Sequence, residues 1–125
     1  MTEQTPTAVF NAYLDAFAAR DFDRMRATLS DATFYYRGPV ATHTDATEFV
    51  MDISRIGQIL DGIDVRRLFV DGNEICAILD FRIRINIVDI TRVVLWVIVE
   101  NGKIVSIEAF FDATEYSQMF PEREG

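Results

Sequence analysis

The chain has 125 residues, half of them apolar, and carries 20 acidic against 12 basic side chains for a formal charge of −8. That length can bury a core, and so apolar a composition excludes a disordered segment. The acid excess argues against nucleic acid and anionic membrane surfaces as partners, since both are bound through cations, and no apolar run is long enough to cross a bilayer.

The first ten residues, MTEQTPTAVF, contain no basic stretch followed by an apolar one, so no secretory signal is expected. Cys76 is the single cysteine and sits in an apolar stretch, which leaves no internal disulfide and suits a reducing, cytoplasmic setting. One histidine and no Cys/His spacing give no reason to expect a metal site, and nothing calls for a cofactor. Without linker, repeat or low-complexity tract, residues 1–125 read as one domain.

Helical periodicity opens the chain. Thr7 stands at a cap position, and Phe10, Tyr13, Leu14 and Phe17 recur as one apolar stripe. Asp21 opens a short second helix with Phe22, Met25 and Leu29 inward. Phe34-Tyr35-Tyr36-Arg37 reads as a strand broken by Gly38-Pro39; Tyr36 shares parity with Phe34 and turns inward, Arg37 outward. The loop VATHTDA, holding His43, leads to a third helix with Thr44 as cap and acids in its first turn. Phe49, Val50, Ile53, Ile56 and Leu60 would face the core from it, and Gly62 would end it.

From Ile63 the period falls to two. Ile63–Val70, Glu74–Val88, Asp89–Glu100 and Lys103–Phe111 are the expected strands, with hairpin turns at Asp71-Gly72-Asn73 and Asn101-Gly102. In the second of them one face reads Ile75, Ala77, Leu79, Phe81, Ile83, Ile85 and the other Cys76, Ile78, Asp80, Arg82, Arg84, Asn86. Such alternation buries one face of a sheet. Asp112 then opens a terminal helix or turn before Pro121. Helices segregated beside hairpin-connected strands indicate an α+β fold.

Two stretches, AVFNAYLDAFAARDFDRMRATLSDAT and VENGKIVSIEAFFD, resemble the nuclear-transport-factor-two-like superfamily in its SnoaL-like form, akin to ketosteroid isomerase and limonene epoxide hydrolase. The resemblance spans nearly the whole chain. It implies a cone-shaped, strongly curved antiparallel sheet wrapped around the N-terminal helices, enclosing an apolar pocket. The superfamily includes isomerases, cyclases, hydrolases and proteins without chemistry, so the scaffold does not decide the function. Tyr13 matches the oxyanion-stabilising tyrosine of ketosteroid isomerase. Its general-base aspartate falls on Tyr36 when aligned on Ala32-Thr33, or on Arg37 when counted back from Pro39, and its second oxyanion donor falls on Leu95. One carboxylate position of the epoxide hydrolase falls on Ala109. The other lies near Asp80, with Arg82 or Arg84 as guanidinium, but alternation turns Asp80 away from the pocket. Asp112 loosely matches the acid/base aspartate of SnoaL-type cyclases, but a helix cap is the preferred reading of it. The catalytic carboxylates of the enzyme relatives are thus not recognisable.

The expected pocket consists of Tyr13, Phe17, Tyr36, His43, Phe49, Phe81, Leu95, Ala109 and Phe111. Such a lining suits a small apolar molecule carrying a carbonyl or hydroxyl. Tyr13 also reads as an ordinary core tyrosine, and His43 as a loop residue. Asp80, Arg82, Arg84, Arg92, Trp96, Ile98, Glu108 and Phe110 share the outward parity. Mixed charges laced with large apolar side chains suggest a homodimer seam on the outer sheet face, the face through which members of the superfamily often pair. Three readings stay open: a dimeric pocket protein binding a small apolar ligand, which is preferred; an isomerase, cyclase or hydratase; and a scaffold whose pocket is filled by its own side chains.

Overall fold

Thr5 starts the first helix, and the computed structural model describes the chain from that residue: 5–84, 87–112 and 114. In α1 (Pro6–Ala18) the Thr5 hydroxyl accepts from the Ala8 amide at 3.1 Å, and Pro6 takes the first helical position, where a missing N–H costs nothing. The cap is therefore Thr5 and not Thr7. Asp21 caps α2 (Phe22–Ala27) as expected, accepting from the Arg24 amide.

β1 (Tyr35–Arg37) is followed by a two-residue strand, β2 (Thr42–His43), inside the stretch read as a loop. Tyr36 pairs with His43 in that hairpin, so His43 belongs to the sheet. α3 (Ala46–Gly57) is capped by Asp45, whose carboxylate accepts from the Glu48 amide at 3.0 Å, in place of Thr44. It stops at Gly57, well before Gly62. Leu60 instead begins β3 (Leu60–Asp71), paired with Ile83 of β4 (Glu74–Arg84). β5 (Val88–Glu100) and β6 (Lys103–Phe110) complete the meander. The β5–β6 turn has Asn101 at φ 54° and Gly102 at φ 75°, the paired left-handed conformation that a tight Asn-Gly hairpin requires.

The strand order is β2-β1-β6-β5-β4-β3. β3 to β6 pair antiparallel, but β1 runs parallel to β6, with Tyr36 opposite Ile107. The six-stranded sheet is thus mixed, which corrects the expectation of an antiparallel one. Neighbouring strands joined by a tight turn must reverse, whereas the long excursion through α3 and four strands lets β1 meet β6 in the same direction. Register shifts at Leu60/Gly62, Val65/Arg67 and Ile98/Val99 bend the sheet, which curves without closing.

Alternation holds along β4, where Ile75, Ala77, Leu79, Phe81 and Ile83 are all buried. They pack with Val9, Phe10, Phe17 and Met25 from the helices. Ile85, Asn86 and the expected terminal helix beyond Thr114 lie outside the described residues. Among the described residues no helix is long and apolar enough to cross a membrane.

Candidate functional site

Between α1, α3 and the inner face of the sheet lies a cavity of about 70 Å³. Its wall includes Tyr13, Phe17, Tyr36, Phe49, Phe81, Leu95, Ala109 and Phe111, eight of the nine residues expected there. The ninth, His43, stands just behind: its ring lies 6.0 Å from those of both Tyr36 and Phe49. The wall also contains Val40, Ala41, Asp52, Ile53, Ile56, Ile83, Thr91, Val93 and Ile107. Helical spacing explains the α1 contribution, since Phe10, Tyr13 and Phe17 share one face with successive ring centroids 6.3 Å apart. Phe17 meets Phe81 edge-on at 5.6 Å, tying α1 to β4.

Tyr13 is 2 % exposed. No described residue exchanges a hydrogen bond with its hydroxyl, and among the described residues no fully enclosed side-chain oxygen is left unpaired, so the hydroxyl opens into the cavity. Burial first, and the neighbouring Tyr36 phenol second, push its pKa well above the ordinary tyrosine value. Tyr13 is therefore a hydrogen-bond donor that keeps its proton. Tyr36 turns inward as its parity required, its ring 4.6 Å from that of Phe49, while Arg37 is exposed. Gly38 is needed beside it: a Cβ there would overlap the Tyr36 hydroxyl.

Asp52 is the residue the sequence reading missed. It follows Phe49 by one helical turn and precedes Ile53 and Ile56 on the α3 face that lines the cavity. His43 Nε2 lies 3.0 Å from Asp52 Oδ2, and Arg55 stands 3.9 Å from Oδ1. A charged residue at i+3 within an apolar stripe was the available signal. Thr91, 8 % exposed and opposite Phe81, was also passed over, although it shares the parity of Val93 and Leu95. Tyr36, Leu95 and Ala109, the positions the resemblance matches to carboxylates, all line the wall, and α3 supplies a carboxylate, Asp52, from elsewhere. Asp112 is exposed, accepts from the Thr114 amide at 2.9 Å and takes no part in the wall.

The residues expected on the outer face lie there, and neither Asp80 nor Arg82 lines the cavity. Asp80 faces Arg92 across β4 and β5 and is covered by that side chain and by Arg66, 3.6 Å away. The Arg92 hydrogen bond, reinforced by the Arg92 and Arg66 charges, holds the Asp80 carboxyl below the usual carboxylate range. Arg82 pairs with Asp64 and Arg84 with Asp61. Cys76, Trp96 and Glu108 form one row across the face; Ile78, Val94 and Phe110 form the next. Trp96 is 42 % and Phe110 53 % exposed, while Ile98 and Glu108 are half-buried. Among the described residues no cluster of His, Cys, Asp and Glu could hold a metal ion.

No protein-family model and no curated protein matches the sequence. Solved structures do match the fold. An NTF2-like protein of unknown function from Cytophaga hutchinsonii superposes with a TM-score of 0.79 at 20 % identity, over 92 % of this chain and 96 % of that one. An epoxide hydrolase from M. tuberculosis resembling limonene epoxide hydrolase gives 0.73 at 18 % identity, over 93 % and 96 %. A putative ketosteroid isomerase from Kribbella flavida gives 0.72 at 18 % identity, over 88 % and 79 %. The chain thus has the nuclear-transport-factor-two-like fold, a scaffold shared by isomerases and epoxide hydrolases.

Proposed function

We propose that the protein binds a small, largely apolar molecule in the cavity, with one polar group of the ligand set against the Tyr13 hydroxyl. The observation that carries this reading is that hydroxyl: buried, held protonated, and without a partner among the described residues, in a wall that is otherwise mostly hydrocarbon. A donor so placed gains from any ligand oxygen that accepts its hydrogen bond, because a phenol left unsatisfied in an apolar setting is costly. Ligand-observed NMR with cyclopentanone and tert-butanol tests it. Both should bind saturably, and Tyr13→Phe should weaken cyclopentanone by about threefold to tenfold, the net worth of one hydrogen bond. Equal affinity in the variant would remove the role of Tyr13, and failure of both compounds to bind would remove the reading.

Asp52 favours a second reading, an isomerase, cyclase or hydratase. A carboxylate in the wall, fixed by His43, is a group able to take and return a proton of a bound carbonyl compound. Wild-type protein that exchanges cyclopentanone α-hydrogens with D₂O, in an Asp52-dependent way, would promote this reading over simple binding. A scaffold packed full of its own side chains is the least supported, since Tyr13, Tyr36 and Leu95 all border open space. The outer sheet face, with Trp96 and Phe110 exposed among paired charges, supports a homodimer through that face. The half-buried single cysteine fits a cytoplasmic protein.

A further inference from the structure

The cavity wall is buried except at Val40, Ala41, Asp52, Ile53 and Phe111, which are half-buried and so mark its mouth. One lip is the β1–β2 hairpin, with Val40 and Ala41 in its turn, and the other is α3, with Asp52 and Ile53; Phe111 closes the side just beyond β6. The His43–Asp52 contact at 3.0 Å spans the two lips, because His43 lies on β2 and Asp52 on α3. Resting on the binding reading above, we infer that this contact is a latch: it holds the hairpin down on α3, and its opening admits and releases the ligand.

The hairpin is built as a strap. β2 is two residues long and forms the edge of the sheet, so within the sheet β1 alone holds it, through Tyr36–His43 and Arg37–Thr42. A segment with so few pairs opens at lower cost than the sheet it borders. Its turn is compact, since the Gly38 amide donates to the Ala41 carbonyl at 2.9 Å, and residues 38–41 therefore move together. Beneath the turn lies the Tyr36 ring, its hydroxyl in the space a Cβ on Gly38 would need and its face 4.6 Å from Phe49. Ring contacts of that kind tolerate sliding, whereas a hydrogen bond is lost over a displacement of about an ångström. The carboxylate itself stays with the helix, where Arg55 stands 3.9 Å from Oδ1, so lifting the strap breaks the contact at His43. With the rest of the wall buried, the ligand passes this mouth in both directions.

Relaxation dispersion of the cyclopentanone NMR signal, at a series of protein concentrations, gives its association and dissociation rates separately. His43→Leu keeps apolar bulk against Tyr36 and Phe49 and removes the tie, so both rates should rise by about threefold to tenfold, the fold-change equivalent to one net hydrogen bond. His43→Gln, whose amide can still donate to Asp52, should stay nearer the wild-type rates. If His43→Leu fails to fold, Asp52→Leu cuts the same tie from the α3 side and is read in the same way. A residue that only shaped the wall would change dissociation and leave association alone. A rise confined to dissociation, unchanged rates, or association as fast in His43→Gln as in His43→Leu overturns the latch and leaves the binding reading standing. Failure of cyclopentanone to bind the wild type overturns the two together.

Discussion

Tyr13 shows what an apolar wall does to a single polar group. Burial penalises its phenolate, so the folded protein retains a proton that the unfolded chain releases above about pH 10. Because the folded value is the raised one, the stability tied to that proton is complete below the unfolded value and is lost as the solution becomes more alkaline. The slope reaches about 1.4 kcal/mol per pH unit for one proton. Two measurements follow. Absorbance titration at 295 nm should show a tyrosine that stays protonated above the ordinary phenol range, and Tyr13→Phe should remove it. Denaturant melts above pH 10 should lose stability more slowly in that variant, and an unchanged alkaline slope would mean the phenol is not enclosed. At this scale the sequence was a good guide to inward rings and a poor one to Asp52. Phe17, Tyr36 and Phe81 follow from period alone, because apolar side chains are placed by burial. Asp52 on α3 is held by a partner on β2, His43, and no local pattern reports that pairing.

Elements met the same limit at their ends. The hairpins Asp71–Glu74 and Glu100–Lys103 were legible because turn chemistry is local, as was Asp21 at the start of α2. The end of α3 was not, for its stop is made by a distant side chain. Arg20, in left-handed backbone at φ 59°, donates Nε to the Gly57 carbonyl at 2.8 Å and NH2 to that of Leu60 at 2.6 Å. It thereby satisfies the Gly57 carbonyl at the end of α3 and the Leu60 carbonyl at the start of β3, from 37 and 40 residues away. Gly57 is tied to the same junction, since a Cβ there would come within 2.5 Å of the Phe22 ring. Arg20→Met should cost about 1.5–3 kcal/mol, as expected for losing charge-assisted hydrogen bonds to partly buried carbonyls. Urea melts read this directly. Arg20→Lys should recover only part of it, because an ammonium cannot span both acceptors as the fork does. A loss within a few tenths of a kcal/mol would show that water replaces the guanidinium freely. The direction of β1 was hidden for a comparable reason: parity says which way side chains point, not which neighbour a strand chooses.

For the whole molecule, the curved sheet has two faces with opposite demands. The inner face closes on the helices and the cavity. The outer face carries ion pairs, Asp80–Arg92, Arg82–Asp64 and Arg84–Asp61, beside rows of half-exposed apolar side chains. Paired charges at the margin of an apolar strip match the composition of an interface core and rim more closely than that of a solvated surface. Trp96 is the discriminating residue. It lies in the row between Cys76 and Glu108 and donates Nε1 to Glu74 at 2.9 Å. In a monomer, Trp96→Glu changes an exposed position and should shift stability little, within about 0.5 kcal/mol. In a dimer sealed through this face the same change places a carboxylate beside Glu74 and Glu108 and removes it from water. Leaving such a charge unpaired costs about 3–5 kcal/mol, so the dimer constant should weaken by more than about 100-fold. Sedimentation velocity over a micromolar range separates the cases. Wild type running as a dimer and Trp96→Glu as a folded monomer would establish the seam. A wild-type monomer throughout, or a dimer indifferent to Trp96→Glu, would mean that the pairs on this face only hold neighbouring strands together.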